Sequence, residues 1–208
     1  MENIVQFCFV NLRTVAIRMS SQKVLTMSDY IRTYTGIRFY PMEPDPAQIE
    51  IRDIAHALPM ICRGNGHVSR FYSVGQHCLS CSREAELQGL PVRIQLACLL
   101  HDAGECYLSD VPRPFKKQLP SYTTYEQRIL SMIYEKYLGS DLNPEERALV
   151  KDIDDRMLAY DLQILLHEDV GELPAVSLEL DYGFPGFDVV EHDFLDRFQL
   201  LIKLLKEN

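Results

Sequence analysis

The sequence lacks both of the common glycine-rich phosphate loops, since neither G-x-x-x-x-G-K-[ST] nor G-x-G-x-x-G occurs in its 208 residues. It also has no glycine- or serine-rich linker, no internal repeat and no low-complexity tract. The composition therefore indicates one domain, because 47% hydrophobic residues suffice for a single substantial core. Any nucleotide that such a domain binds must be held by side chains, helix termini or a metal ion.

A basic surface and a targeting segment are also missing. The net charge of −9 argues against a general nucleic-acid binder, although it is compatible with a small anionic ligand in a locally positive pocket. No secretory signal pattern is present, and the apolar stretch at residues 5–10 is far too short to span a membrane. We expect a cytoplasmic protein with no nucleic-acid partner and no membrane partner, and leave a homodimer open.

The first 26 residues differ in charge from the rest. Arg13, Arg18 and Lys23 against Glu2 give this segment a net charge of +2 (3 − 1), which leaves −11 for residues 27–208. A basic amphipathic segment could be a surface anchor. We favour the interpretation that residues 1–26 are a dispensable extension and that residues 27–208 form the domain. A chain that starts at Met27 should fold and keep its activity, and loss of solubility or turnover would contradict this expectation.

The most informative motif is His101-Asp102, which follows the apolar run Leu96–Leu100. A polar pair at the end of such a run is expensive to bury unless something pairs with it. On a helix, Glu105 lies one turn further on the same side. One imidazole and two carboxylates on a buried face indicate a metal with acid–base chemistry beside it. The alternative is a His–Asp pair that satisfies only itself.

Two other helices supply further candidate ligands. His77 shares helical spacing with the apolar positions Val74 and Cys81, which places it on a buried face. Asp154 and Asp161 both fall on the apolar stripe of a later helix, where a carboxylate needs a partner such as a metal ion. The candidate metal ligands are therefore His77, His101, Asp102 and Asp154.

This H…HD…D pattern resembles that of the HD-domain metal-dependent phosphohydrolases, over roughly residues 28–205. Residues 109–116, Ser-Asp-Val-Pro-Arg-Pro-Phe-Lys, are similar to the segment after the HD helix in bacterial 5′-deoxyribonucleotidases. The stretches 30–40 and 53–58 resemble a phage- and prophage-associated branch of the same superfamily. The resemblance implies an all-α HD-domain bundle that hydrolyses phosphate esters of nucleotides.

The implied activity is that of a 5′-nucleotidase on deoxyribonucleoside monophosphates. Two alternatives remain: hydrolysis of nucleoside triphosphates, and a non-catalytic HD module that binds a nucleotide as a regulator. HD proteins with two metals need extra histidines between the HD pair and the last aspartate, and none occurs from 103 to 153. We therefore expect one divalent ion, with Mn, Co, Fe, Ni, Zn and Mg all open for a mixed nitrogen and oxygen site.

The candidate catalytic and substrate-binding residues are assigned from their positions relative to the HD pair and the glycine-containing loop. Glu105 is placed to activate water, and Asp110 to protonate the leaving sugar oxygen or to restrain the substrate. Lys116 is a candidate for neutralising phosphate charge. The glycine-containing loop at 63–67 is the best candidate for substrate contact, with donors on Arg63, Asn65 and His67. Arg70 competes with Arg63 for the phosphate.

The secondary-structure pattern is helical after a short hairpin. The hairpin is expected over residues 30–40 with Gly36 in its turn. Residues 174–186 should form a loop. Cys78 and Cys81 are expected to be core thiols rather than half of a zinc or redox site. Helices are predicted over residues 46–61, 73–88, 91–106, 121–138, 144–168 and 188–206.

Overall fold

Apart from one short hairpin, every regular element in the described part of the chain is a helix, which confirms the all-α prediction. The computed structural model describes residues 29–207. The predicted extension over residues 1–26, together with Met27, lies outside the described residues. Among residues 29–207, every helix is too short or too polar to cross a bilayer.

The hairpin pairs strand β1 (Ile31–Arg32) with strand β2 (Arg38–Phe39) in antiparallel register. Gly36 lies in the connecting turn with φ +88°, a left-handed conformation that favours glycine. Contacts of Phe39 and Thr35 help to hold the hairpin on the helices. Phe39 is fully buried and its ring stacks on that of Tyr107 at 3.8 Å. Asp53 accepts hydrogen bonds from the Thr35 backbone N–H (2.6 Å) and hydroxyl (2.9 Å).

Eight helices follow the hairpin within residues 29–207, and two predicted helices are divided in the structure. Residues 46–61 form α1 flanked by two 3₁₀ turns, Pro46–Gln48 and Leu58–Met60. The extended backbone at Ile49 and Glu50 separates the first of these turns from α1. The predicted helix 91–106 is split at residues 101–104. The bounds are α1 (Ile51–Ala57), α2 (Val74–Leu87), α3 (Val92–Leu100), α4 (Glu105–Leu108), α5 (Arg113–Lys116), α6 (Pro120–Leu138), α7 (Pro144–Leu165) and α8 (Phe187–Glu207).

The core is organised around α3, which packs against α2, α6, α7 and α8. Every residue from Ile94 to Leu100 is buried, so the apolar run seen in the sequence occupies the centre of the bundle.

The start of α7 is also as predicted. The Asn143 side chain accepts from the Glu146 backbone N–H at 2.9 Å, and Glu146 accepts in return from the Asn143 N–H at 3.0 Å. Asp154 is thereby set three turns into a well-defined helix.

The loop before α8 is fastened to the bundle by a buried carboxylate on α2. Glu84 accepts hydrogen bonds from the backbone N–H groups of Ser177 (2.9 Å) and Leu178 (2.8 Å) and from the Gln88 amide (2.7 Å). Replacing Glu84 with alanine would leave these donors without an acceptor. We expect the free energy of unfolding to fall by about 1–3 kcal/mol, measured by urea titration. The exposed Glu172→Ala is the control and should change it little.

Candidate metal and phosphate site

The HD pair lies in a tight turn at the end of the buried helix α3. Hydrogen bonds switch there from i−4 to i−3 acceptors, with Ala103 N–H donating to Leu100 O at 2.9 Å and Glu105 N–H to Asp102 O at 3.0 Å. His101 Nδ1 donates to the Cys98 carbonyl at 2.8 Å, because a carbonyl can only accept. In the neutral ring the lone pair is therefore on Nε2, which is buried and makes no hydrogen bond within the described residues.

His77 on α2 points its own Nε2 toward the same place. This side chain is completely buried, and its Nδ1 lies 3.0 Å from Asp161 Oδ2, which fixes the ring orientation. Its Nε2 lies 3.2 Å from Asp154 Oδ1 on α7. A ring nitrogen held by a carboxylate, with the other nitrogen directed into a cluster of acids, is the usual arrangement of a metal-binding histidine.

The separations between these atoms suit a divalent ion. His101 Nε2 lies 3.3 Å from Asp102 Oδ2 and 3.6 Å from Asp154 Oδ1. Ligand atoms at about 2.0–2.2 Å from an ion are separated from their neighbours by roughly 2.8–3.6 Å. The observed distances fall in this range, and the buried unpaired Nε2 of His101 is an atom that a metal would satisfy. These four residues, His77, His101, Asp102 and Asp154, are called the cluster below, and they could hold a metal ion.

The adjacent histidines lower the pKa values of the two carboxylates in this cluster. Burial alone would raise the pKa of Asp102 and of Asp154, but the adjacent imidazoles of His101 and His77 outweigh it and hold both pKa values well below the usual range. The pKa values of the two histidines are shifted in the opposite direction. Burial would lower the pKa of His101, yet Asp102 and the neighbouring groups raise it above its ordinary value. The carboxylates and imidazoles therefore stabilise each other's charged forms, and a metal ion in place of the imidazole protons would be attracted by the same two carboxylates.

Two cysteines border the cluster. Cys78 and Cys81 are buried and free, as predicted for core thiols. Cys81 Sγ lies 3.5 Å from His77 Nε2. Among residues 29–207, two triads have potential ligand atoms within 4.8 Å of one another, namely His77–Cys81–His101 and Cys78–His101–Asp102. The sequence carried a signal for this proximity, because Cys81 lies one helical turn after His77 on α2.

Arg63 is the one member of the predicted substrate loop that reaches the cluster. Its guanidinium lies 3.4 Å from Asp102 and 3.2 Å from Asp161, and it is held there by a 3₁₀ turn that begins at Arg63. Burial would lower the pKa of Arg63, but the two carboxylates raise it, so this side chain is a permanent cation. Asn65, His67 and Arg70 are exposed, and within residues 29–207 no ion pair joins them to the cluster.

Glu105 is buried beside the HD turn at the start of α4. Its Oε2 has no hydrogen-bond partner among the described residues, and only 4% of the residue is exposed. Burial is the largest cause of a raised pKa at Glu105, and the negative charges of Asp102 and Asp110 add to it. A carboxyl group with these properties is suited to proton transfer.

The segment after α4 brings further charges to the cluster. Burial raises the pKa of the half-buried Asp110, with Arg63 opposing it. Arg113 donates to Asp154 Oδ2 at 2.7 Å and to Asp155 at 3.0 Å. Lys116 pairs with Glu126 at 2.6 Å. Except for Asn65, His67 and Arg70, the structure places the predicted site residues around one cluster. Sequence reasoning missed the role of Asp161 as the partner of His77 and Arg63.

A pocket of about 250 Å³ opens beside the cluster. Its acidic side chains are Asp102, Glu105, Glu126 and Asp154, and its basic side chains are Lys116, Arg147 and Lys151. The combination of candidate metal ligands with three basic side chains is suited to an anion that is bound next to a metal ion.

Comparison with known proteins gives two relatives. The chain is 40% identical over 187 residues to YfdR of Escherichia coli (strain K12), a protein described as uncharacterized; the match covers 85% of this chain and 98% of YfdR. It is 33% identical over 111 residues to an uncharacterized protein of Rhodobacter capsulatus, covering 51% of this chain and 57% of that protein. No family model matches the sequence.

Proposed function

The chain belongs to the same family as YfdR of Escherichia coli, and we propose that it is a metal-dependent phosphohydrolase that acts on nucleotides. The proposal rests on one observation. The Nε2 atoms of His77 and His101 lie 3.2–3.6 Å from carboxylate oxygens of Asp102 and Asp154. The H…HD…D order of these residues resembles that of HD-domain phosphohydrolases. Their mixed nitrogen and oxygen donors suit a transition metal such as Mn or Co more than Ca.

The metal would be held by His77, His101, Asp102 and Asp154, which project from α2, the HD turn and α7. When bound, a divalent ion would polarise the phosphoryl group and make water at the site more acidic. Asp161 keeps Nδ1 of His77 occupied, so that Nε2 is the nitrogen available for the ion.

The other residues act on the substrate and on water. Glu105 lines the pocket with a carboxylate oxygen that is not hydrogen-bonded, and it would accept the proton of the attacking water. Arg63 and Lys116 would bind the phosphate oxygens as cations. Asp110 is half-buried and near enough to Arg63 and Lys116 to interact with their charges, and it would donate a proton to the sugar oxygen as the phosphate ester bond breaks. Phosphate and a nucleoside are the products.

We favour deoxyribonucleoside monophosphates as substrates, and the test is product analysis. The protein is incubated with Mn²⁺ or Co²⁺ and each of the four deoxyribonucleoside monophosphates and triphosphates. We expect inorganic phosphate and a nucleoside from the monophosphates. Release of tripolyphosphate from the triphosphates would favour the alternative hydrolase. Tight nucleotide binding without any product would instead indicate a regulatory module.

Asp161 provides a prediction about metal affinity. Asp161→Ala removes the carboxylate that orients His77 while leaving all four proposed ligands in place. Loss of such a partner typically weakens metal binding by roughly 10- to 100-fold. Titration of the metal-free protein with Mn²⁺ measures the effect. The matched control is Asp152→Ala on the same helix, whose carboxylate pairs with Arg156 on the surface. Equal Mn²⁺ affinities in the two variants would contradict the role of Asp161.

A further inference from the structure

A second, larger pocket lies between the hairpin, α1 and α4. Its volume is about 670 Å³, and Glu105 lines both this pocket and the one beside the metal-binding cluster. The second pocket therefore adjoins the site where the phosphate would be bound. It is formed by the two sequence stretches that the proposed mechanism leaves without a role, residues 30–40 and 53–58. Its other lining residues include Met60, Tyr107 and Ser109.

The sizes of the two pockets suggest that each binds a different part of the substrate. Pockets for small organic ligands usually measure about 300–1,000 Å³. The pocket of about 250 Å³ beside the cluster is below this range, which suits a phosphate group and a few waters. The pocket of about 670 Å³ is within it, which suits the larger organic part of a nucleotide.

The wall of the second pocket carries an exposed aromatic ring in a fixed position. The Tyr34 ring stacks on the His56 ring at 3.6 Å with an angle of 7° between the planes. His56 is itself held by Glu191, whose carboxylate lies 2.8 Å from Nδ1. Tyr34 nevertheless remains 56% exposed, and Met60, which lines the same pocket, is 52% exposed. A planar base stacks well on such a platform, because its π-face interacts with the aromatic ring and the apolar side chain.

The platform is also preorganised. Asp53 binds the hairpin through the Thr35 N–H and hydroxyl, and Phe39 anchors its second strand in the core. A ligand that binds to Tyr34 would therefore not have to order this wall, which favours affinity. At the junction with the first pocket, the unpaired Oε2 of Glu105 requires a donor, which a bound ligand or its attacking water would supply.

We infer that the second pocket binds the nucleoside half of the substrate, with the base on Tyr34 and Met60 and the phosphate in the first pocket. This inference rests on the proposed function for the identity of the ligand as a nucleotide. It adds that the protein recognises the base, and that the hairpin and α1 are the elements that do so.

The experiment compares a substrate that has a base with one that lacks it. Binding of deoxyadenosine 5′-monophosphate and of deoxyribose 5-phosphate is measured by calorimetry with Mn²⁺ present, and phosphate release is assayed on the same preparations. The variants are Tyr34→Ala, Tyr34→Phe and the control Leu87→Ala, which removes a similarly exposed apolar side chain on α2. Circular dichroism confirms that each variant is folded.

We expect the wild-type protein to bind the nucleotide at least tenfold more tightly than the sugar phosphate. Tyr34→Ala should weaken nucleotide binding by roughly tenfold, the scale of a lost stacking contact, and leave sugar phosphate binding unchanged. Tyr34→Phe should restore most of the affinity, and Leu87→Ala should match the wild type. Equal affinities for the two ligands, or equal losses for both in Tyr34→Ala, would overturn the inference. If binding behaves as expected but no phosphate is released, the proposed function fails while the nucleoside pocket stands.

Discussion

Replacing His101 with alanine is expected to abolish both metal retention and phosphate release. This residue is fixed through Nδ1 by the Cys98 carbonyl, and its buried Nε2 lies within 3.6 Å of two carboxylates. Its removal deletes a proposed ligand and the imidazole that contacts both Asp102 and Asp154. Elemental analysis of the purified variant measures the metal, and phosphate release from a deoxyribonucleoside monophosphate measures the activity.

The same variant should also lose stabilisation by metal. An ion that binds only the folded state raises the melting temperature by mass action, so added Mn²⁺ should raise the Tm of the wild type but not that of His101→Ala. The control is His192→Ala, which removes a largely exposed imidazole on α8. Full metal occupancy in His101→Ala would show that the ligand set is wrong.

Replacing Glu105 is expected to separate water activation from metal binding. The four proposed ligands can hold the ion without Glu105, whose Oε2 is unpaired in the pocket. Glu105→Ala and the similarly sized Glu105→Gln should therefore keep most of the metal. Turnover should fall by roughly 10²-fold or more, which is the usual scale for a general acid–base group. Both variants should still bind nucleotide, because Arg63 and the metal are retained.

Metal content and steady-state rates on one preparation decide between the roles of Glu105. The control Glu135→Gln removes a carboxylate from the exposed face of α6 and should leave both quantities unchanged. Near wild-type turnover in Glu105→Ala would rule out water activation. Metal loss as complete as in His101→Ala would instead make Glu105 a ligand.

The helical content and the faces of the helices followed from local sequence. Apolar spacing identified the buried faces of α2 and α7, and the Asn143–Glu146 capping box fixed the start of α7. These signals are local, because backbone geometry repeats every 3.6 residues and a cap satisfies groups within one turn. The turn at His101–Gly104 was missed, since its tightened hydrogen bonds involve residues that would also fit a continuous helix.

By itself, the sequence determined that the chain is helical, where its hairpin turns, and that His77, His101 and Asp154 lie on faces directed toward a core. Only the tertiary structure decided which of these faces meet. Residues 63–70 have no helical period that would orient their side chains, so sequence could not choose between Arg63 at the cluster and Arg70 at the surface. The contact between Asp161 and His77 joins residues 84 positions apart. Periodicity assigns a side chain to a face, whereas the distance between two faces depends on how whole helices pack.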